Sequence, residues 1–570
     1  MSKNISSLSG RDGRELDDPL WERLQQAAGV SGSPSNADLT SIADDFLVGE
    51  AITYGTSSFY DFLKKDNTGK KAYVCNGSAC LVAGTQDKVH HALRRHFKEE
   101  EIGHMCCLGR CHENSAFNIG GRNYSGAGIA HLDALVAEVK DGGRERKGGG
   151  VPAGGEHQVG TSMAEPILTA PMPPLEAFYA LWERVLNGDS ADVLNEITIA
   201  TIRGRGGAGF PMGFKLKACR DAQDTTGNGT PRKYIVCNAD EGDPGAFSDR
   251  YLLEQRPHRV LLGMMIAGYC VGADTGVLYI RAEYPEAVEI VKQAVADLAA
   301  GGWIGGNIKG SGFNWRFKVI KAAGAYVCGE ETALLNSIEG KRGEVRTRPP
   351  YPAQQGLFNR PTVVNNVETL ACVPWVVEHG GAAFAKLGTE KSRGSKLVCL
   401  DGGFERPGMY EVEFGTPLSR VIDGLGGGFA RPTKALHIGG PLGGIVPVQK
   451  IGDLSIDFES FQKEGFLLGH ASVLSIPADF PIIDYLEHLF DFTAMESCGK
   501  CFPCRIGSTR GKELVQGAKG GRRIDRALFD DLVETMEIGS LCALGGGLPL
   551  GVRNALRWFG DELRPYFTTA

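Results

Sequence analysis

Gly204-Arg205-Gly206-Gly207-Ala208-Gly209-Phe210-Pro211 is the stretch on which the reading of this chain turns. Four glycines in six residues leave backbone N–H groups uncovered, so a phosphate can come close to the main chain, and Arg205 can add charge to it. Gly204, Gly206 and Gly209 fit G-x-G-x-x-G, but a chain with 79 glycines meets that pattern easily by chance. A flexible surface loop explains the turn about as well. The neighbours decide. Val193, Leu194, Ile197 and Ala200 fall on one face of a helix predicted for 191–202, whose last turns are β-branched. A dinucleotide fingerprint needs a strand before its turn. A helical lead-in counts against that fingerprint, though not against phosphate binding.

Downstream, a strand over 233–237 delivers Asn238-Ala239-Asp240-Glu241-Gly242-Asp243-Pro244-Gly245. Carboxylates at a strand end suit a ligand site in an open α/β sheet, and a solvated turn is the competing explanation. Strands follow over 277–281 and 317–322. The second leads into Gly324-Ala325-Tyr326-Val327-Cys328-Gly329-Glu330-Glu331-Thr332 and a helix over 333–339, where the helix dipole alone can account for two adjacent acids. Tyr351 stands between prolines that fix its backbone, which suits a stacking ring, and Asn365-Asn366-Val367-Glu368-Thr369 closes this unit. Beyond it, strands over 396–400, 408–414 and 436–438 and a helix over 418–425 form a smaller unit. Its glycine turn, 439–444, lacks nearby charge and has the weaker claim to a ligand.

Cysteines supply the second signal. The 15 are unevenly spaced. Cys75 and Cys80 form C-x4-C, and Cys107 and Cys111 form C-x3-C, each pair on a loop with glycine. Four thiolates in two pairs suit a [2Fe–2S] cluster better than a structural zinc, which favours C-x2-C pairs. Cys106 competes with Cys107 for the third place, and Cys107 is preferred. Near the C-terminus, Cys498, Cys501 and Cys504 form C-x2-C-x2-C, and Cys542 is the distant fourth. Three thiolates at that spacing surround one face of a [4Fe–4S] cluster. Cysteines 219, 237, 270, 328, 372 and 399 are isolated and read as small buried residues.

The bulk numbers agree. A chain of 570 residues exceeds one hydrophobic core, so three or four domains are expected. A net charge of −7 with dispersed charges argues against a nucleic-acid binder and offers no basic patch for a membrane. The most apolar stretch, 261–280, carries Asp274 and glycines and reads as a buried helix running into a strand. Residues 1–18 contain no apolar signal stretch, and clustered thiols suggest metal ligands in a reducing cytoplasm. Residues 19–64 read as helical, with Leu39, Ile42, Ala43, Phe46 and Leu47 on one face, and 71–75 as a strand. The glycine-rich 141–160 and the proline-rich 166–174 read as a linker.

Taken together, GRGGAGFP at 204–211, NADEGDPGAF at 238–247, GAYVCGEETALLNSIEG at 324–340, RPPYPAQ at 348–354, NNVET at 365–369 and ESCGKCFPCR at 496–505 resemble the flavin-containing NADH-oxidising subunit of respiratory complex I. They also resemble the diaphorase subunits of NAD-linked hydrogenases and of NAD-dependent molybdenum or tungsten formate dehydrogenases. Residues 38–125 resemble the small [2Fe–2S] partner subunit of complex I, so two subunits look fused here. The resemblance implies a multidomain α/β and α+β chain: a helical lead-in and thioredoxin-like [2Fe–2S] domain (1–140), a linker (141–174), a Rossmann-like FMN and NAD domain (175–394), a ubiquitin-like SLBB domain (395–480) and a helical [4Fe–4S] domain (481–570).

It further implies FMN held by Gly204, Arg205, Gly206, Lys215, Asn238, Asp240, Glu241, Tyr326, Gly329, Glu330, Asn365, Asn366 and Thr369. NAD(H) would stack over the flavin against Phe210 and Tyr351, with Glu331 and Asp243 orienting the nicotinamide and sugar. The flavin exchanges hydride with nicotinamide and passes single electrons to iron–sulfur clusters. This chain departs from complex I in having Asp243 for Glu, Tyr351 for Phe, and Ala218 where a second adenine-stacking aromatic is expected. The NADEGDPGAF variant and the intact N-terminal thiols favour the diaphorase subunit of a formate dehydrogenase, working with a larger molybdenum or tungsten catalytic subunit. A hydrogenase diaphorase or a complex I subunit is the nearer alternative, and a flavin-free iron–sulfur module the more distant one.

Overall fold

The structure is a computed structural model that describes residues 16–17, 19–140, 158–226 and 232–568. Three helices open it: α1 (Leu20–Ala28), α2 (Asn36–Asp45) and α3 (Glu50–Ser57). The single apolar face expected across Leu39–Leu47 breaks there. The second helix stops at Asp45, Leu47 takes a left-handed backbone, and its side chain is exposed.

A small mixed sheet follows, built from β1 (Ala72–Cys75), β2 (Ile102–Met105), β3 (Phe117–Ile119) and β4 (Arg122–Tyr124) in the order β2-β1-β3-β4. Helices α4 (Ser78–Val82), α5 (Gln86–Leu93) and α6 (Leu132–Lys140) complete this unit. Its core of Val74, Leu93, Phe117, Ile119 and Leu135 is separate from the larger ones.

The second sheet carries the site. Its strands are β6 (Tyr234–Ala239), β7 (Thr275–Ile280), β8 (Arg316–Lys321) and β9 (Thr362–Asn366), all parallel, in the order β8-β7-β6-β9. The inner strand β7 is buried throughout, as a parallel sheet covered on both faces requires. On one face Ile235, Cys237, Leu278 and Ile280 pack against α7 (Leu175–Leu186), α8 (Ser190–Ile199), α9 (Met212–Asp221), α10 (Ser248–Gln255), α11 (Pro257–Val271), α12 (Pro285–Ala300) and α14 (Val367–His379). On the other, Tyr234, Val236, Val277 and Tyr279 meet α13 (Glu331–Ile338) and the N-terminal helices. Trp21 is fully buried there and donates its ring N–H to Lys321 O at 3.0 Å. The helical lead-in therefore packs as a layer on the central sheet. The apolar stretch 261–280 is the end of α11 followed by β7, and no described helix is long and apolar enough to cross a membrane.

The third sheet has the order β13-β12-β14-β10-β11-β5, from β5 (Val159–Thr161), β10 (Ser395–Leu400), β11 (Gly408–Glu413), β12 (Thr433–Ile438), β13 (Gly444–Pro447) and β14 (Ser472–Pro477). Its edge strand β5 comes from the segment read as linker, of which 141–157 lies outside the described residues. The end of that segment is pinned. Buried Glu411 accepts from the N–H groups of Ile167, Leu168 and Thr169. The chain ends in a bundle of α15 (Ile482–Glu496), α16 (Phe502–Lys519), α17 (Arg526–Gly539) and α18 (Ala543–Trp558).

Candidate functional site

The glycine turn does follow a helix. α8 ends at Ile199, Thr201 takes a left-handed backbone, and the turn runs straight into α9. Gly207 and Gly209 also have positive φ, which a residue with Cβ adopts only at a cost. The turn forms one wall of a cavity of about 1540 Å³. Of the seventeen residues assigned to FMN and NAD(H), sixteen line this cavity, brought there from the ends of β6 and β9, the loop before α13 and the 348–352 turn. Thr369 is the exception. It is buried, and its Oγ1 accepts from Arg205 N–H at 2.8 Å, so it braces the turn from behind.

Side-chain positions sort this set. Asp240 Oδ2, Glu330 Oε1 and Asn365 Nδ2 are shielded from solvent without a hydrogen-bond partner, and all three residues line the cavity. Buried polar atoms are normally satisfied, so the open Asp240 carboxyl and Asn365 amide fit a polar ligand edge such as the pyrimidine end of a flavin, while Glu330 Oε1 also has Arg348 Nη2 at 3.7 Å. Burial drives the Asp240 carboxyl well above its ordinary range. Glu330 Oε2, by contrast, caps α13 through Thr332 N and Ala333 N.

Three residues do something other than expected. The Arg205 guanidinium is engaged by backbone carbonyls. It donates to the carbonyls of Arg203 at 2.6 Å, Arg393 at 2.8 Å and Ser395 at 3.3 Å, and lies over the rings of Phe384 and Phe414. The sequence offered it as phosphate charge, but its side chain is spent on the backbone that carries the turn. Glu241 accepts from Ser248 Oγ, Asp249 N, Arg250 N and Tyr284 OH, which makes it the N-terminal anchor of α10. Asn366 caps α14 through Glu368 N and Thr369 N while donating to Asp249 Oδ2.

In the same lining, Glu331 is held between Lys215 Nζ at 3.1 Å and Arg348 Nη1 at 3.0 Å. Phe210, Phe214 and Tyr351 line the cavity and stay exposed, with the Phe210 and Phe214 rings edge-on at 5.6 Å. Phe214 lies one helical turn before Ala218. Sequence reasoning also missed the third sheet's share. Gly439, Leu442, Leu467, Gly469 and His470 line the same cavity, so the second glycine turn belongs to the site after all. Tyr326 OH donates to Asp243 Oδ1 at 2.5 Å, and His470 Nε2 stands 3.0 Å from Asp243 Oδ2. Burial alone would raise the Asp243 carboxyl. His470 and Tyr326 outweigh it and hold Asp243 below its ordinary value.

The thiols gather in two groups. Cys542 lines the cavity and immediately precedes α18, and Cys501 immediately precedes α16, neither side chain capping its helix. Burial pushes Cys504 up to about 11 and Cys542 up to about 12; Cys501 and Cys498 add to the first shift, and Cys504 and Cys498 to the second. Such thiols ionise when a metal is there to take the charge. In the first group, Cys107 Sγ is 3.2 Å from Cys111 Sγ, and Cys75 lies in contact with Cys80 and Cys107. Hydrogen bonds from Cys111 and Cys75 hold Cys107 well below the usual thiol range. Backbone N–H groups of Gly77, Gly109 and Gly245 point at Cys75, Cys107 and Cys111. Cys106 turns instead to Gly242 O, at 3.6 Å, which favours Cys107 as the group's third member. Among the described residues, no three His, Cys, Asp or Glu side chains converge as a single metal ion would need. The six isolated cysteines are all buried.

A parallel sheet with a large cavity at its strand ends, and one thiol, Cys542, in the cavity wall, fits a flavoprotein with a neighbouring iron–sulfur centre. The comparisons place the chain more closely. Residues 197–375 match the Nuo51 FMN-binding domain, and residues 484–566 match the NADH-ubiquinone oxidoreductase-F iron-sulfur binding region. The chain belongs to the family of NADH-binding flavoprotein subunits found in complex I-type NADH–quinone oxidoreductases and NAD-linked hydrogenases. It is 42% identical over 383 residues to the NADP-reducing hydrogenase subunit HndC of Solidesulfovibrio fructosivorans, covering 66% of this chain and 76% of that one. It is 33% identical over 586 residues to the NAD-reducing hydrogenase HoxS subunit alpha of Cupriavidus necator, covering 98% and 94%. A crystal structure of an NAD+-reducing [NiFe]-hydrogenase in the H2-reduced state superposes with a TM-score of 0.83 at 28% identity, over 97% of this chain and 94% of that one.

Proposed function

We propose that this chain is the diaphorase subunit of an NAD-dependent formate dehydrogenase, carrying electrons between a metal-containing catalytic subunit and NAD(H). The observation that carries the diaphorase reading is that one cavity holds both kinds of wall: open polar atoms and exposed rings suited to a flavin and a nucleotide, and Cys542 of the C-terminal thiol group. FMN, when bound, supplies the exchange between hydride and single electrons.

The chain's own residues do the rest. The turn 204–209 offers backbone N–H groups to the phosphate end. Asp240, Glu330 and Asn365 meet the flavin's polar edge. Phe210, Phe214 and Tyr351 take the nucleotide rings, and Glu331 and Asp243 orient the nicotinamide end. Cys498, Cys501, Cys504 and Cys542 would hold a [4Fe–4S] cluster, and Cys75, Cys80, Cys107 and Cys111 a [2Fe–2S] cluster. By this reading the nucleotide unit takes in the helices of 20–57, and the SLBB sheet takes in residues 159–161.

A partner subunit would dock on the apolar surface beside the C-terminal thiols, where Met495, Phe502, Ile506, Ile538 and Leu541 are exposed. Formate as the ultimate donor is supported by the NADEGDPGAF motif and the intact N-terminal thiols. Hydrogen is the second reading, supported by the likeness to a hydrogenase subunit over nearly the whole chain. We place the protein in the cytoplasm on its clustered, unpaired thiols. The test is to purify the native assembly and measure its metals and its donor. Molybdenum or tungsten with formate-dependent NAD+ reduction supports the proposal. Nickel with hydrogen-dependent reduction would replace it by the second reading.

A further inference from the structure

The loop 467–471 and the second glycine turn reach into the nucleotide cavity from the third sheet, and nothing above gives them a task. Their backbone is costly. Gly469 has φ +57°, and Ala471, which carries a Cβ, has φ +65°. Such conformations persist where the surroundings impose them. Gly440 is tightly placed, since a Cβ there would sit 2.5 Å from Asp243 Oδ1. This geometry brings both loops of the third sheet, through Gly440 and His470, against the distant Asp243 carboxylate.

His470 is buried, yet it lines the cavity. Ser472 N–H donates to its Nδ1 at 3.4 Å, which makes Nδ1 the acceptor and leaves the hydrogen on Nε2. Nε2 is buried without a hydrogen-bond partner and stands 3.0 Å from Asp243 Oδ2, a distance that a small turn of the ring converts into a hydrogen bond, while Tyr326 OH takes Oδ1. Each carboxylate oxygen keeps a second lone pair for a ligand.

We propose that His470 is a positioning residue of the nucleotide site, which acts through Asp243 and, with Tyr326, fixes both oxygens of that carboxylate towards the nicotinamide end of bound NAD(H). This rests on the reading of the cavity as the NAD(H) site. A fixed anion there favours the cationic ring of NAD+ and orients the carboxamide. The other charged or titratable groups around Asp243 are Arg281, which supports its anion, and Asp240 and His437, which sense it. Remove His470, and burial acts on Asp243 with one opponent fewer.

The test compares wild type, His470→Ala and His470→Gln in the complete enzyme, after flavin and iron content have been matched. NAD+ binding is read by equilibrium dialysis, and NADH oxidation is read across pH. His470→Ala should weaken NAD+ binding about tenfold and move the acid limb of kcat/KM upward by about one pH unit. His470→Gln, which keeps a side-chain N–H donor, should recover part of the binding and part of the limb. Wild-type binding and an unmoved limb in both variants would overturn this inference and leave the site reading standing. Failure of wild type to bind NAD+ would overturn both.

Discussion

Arg205→Ala distinguishes a side chain that holds phosphate from one that braces the glycine turn. As phosphate charge, its removal would weaken FMN binding and leave the empty protein untouched. In the structure its guanidinium holds three backbone carbonyls that fix the turn to the 393–395 segment, and it is 1% exposed. Hydrogen bonds from a charged donor are worth about 1.5–3 kcal/mol each, and those made by one group do not add in full. Arg205→Ala also strands the carbonyls in a dry site and empties the space over Phe384 and Phe414. The expected cost is about 3–5 kcal/mol. At roughly 2–4 °C per kcal/mol for a unit of this size, the thermal midpoint of the nucleotide unit should fall by about 6–20 °C. Scanning calorimetry on flavin-free and flavin-loaded protein should show the same fall in both. The flavin dissociation constant should change less than about tenfold. An unchanged flavin-free midpoint with flavin affinity down about a hundredfold would refute this reasoning and return Arg205 to the phosphate.

Three further outcomes follow from the site. Cys501→Ala should leave NADH-dependent flavin bleaching intact and abolish electron transfer to the partner, as stopped-flow absorbance would show; loss of both would contradict the placing of that cluster downstream. Phe214→Ala should raise KM for NADH about tenfold through lost stacking but leave reduced nicotinamide mononucleotide, which lacks the adenine, unaffected. Asp401 is buried, and burial pushes its carboxyl up to about 7. The native state there keeps a proton that the unfolded chain releases above its ordinary value, so the penalty builds as pH rises to about 7 and is complete above it. Asp401→Asn should therefore raise the thermal midpoint at pH 8 and leave it unchanged near pH 4.

Local pattern made much of this legible. The helix before the glycine turn, the parallel strands ending in acids, and the two thiol groups follow from periodicity and spacing. The choice of Cys107 over Cys106 has geometric support, since only Cys107 faces Cys111. What the sequence hid depends on partners far along the chain. Arg205 looks like a free cation until the carbonyls of Arg393 and Ser395 are folded onto it. Glu241 lines the cavity as its motif suggests, but its carboxylate also anchors the start of a helix at Ser248 and Asp249, which the motif alone does not reveal. His470 sits in no local motif, and only the packing of the third sheet against the second brings it to Asp243. Three-residue β5 is too short to announce itself, and the Glu411 carboxylate fastens the chain just beyond it.

The central claim is that the cavity beside Cys542 holds FMN and oxidises NADH. It is tested most directly on the native assembly by extracting the flavin and assaying NADH oxidation with an artificial electron acceptor. The account predicts about one FMN per chain and NADH-dependent acceptor reduction that survives Cys501→Ala. A preparation with intact iron–sulfur absorbance but no FMN and no NADH oxidation would contradict it.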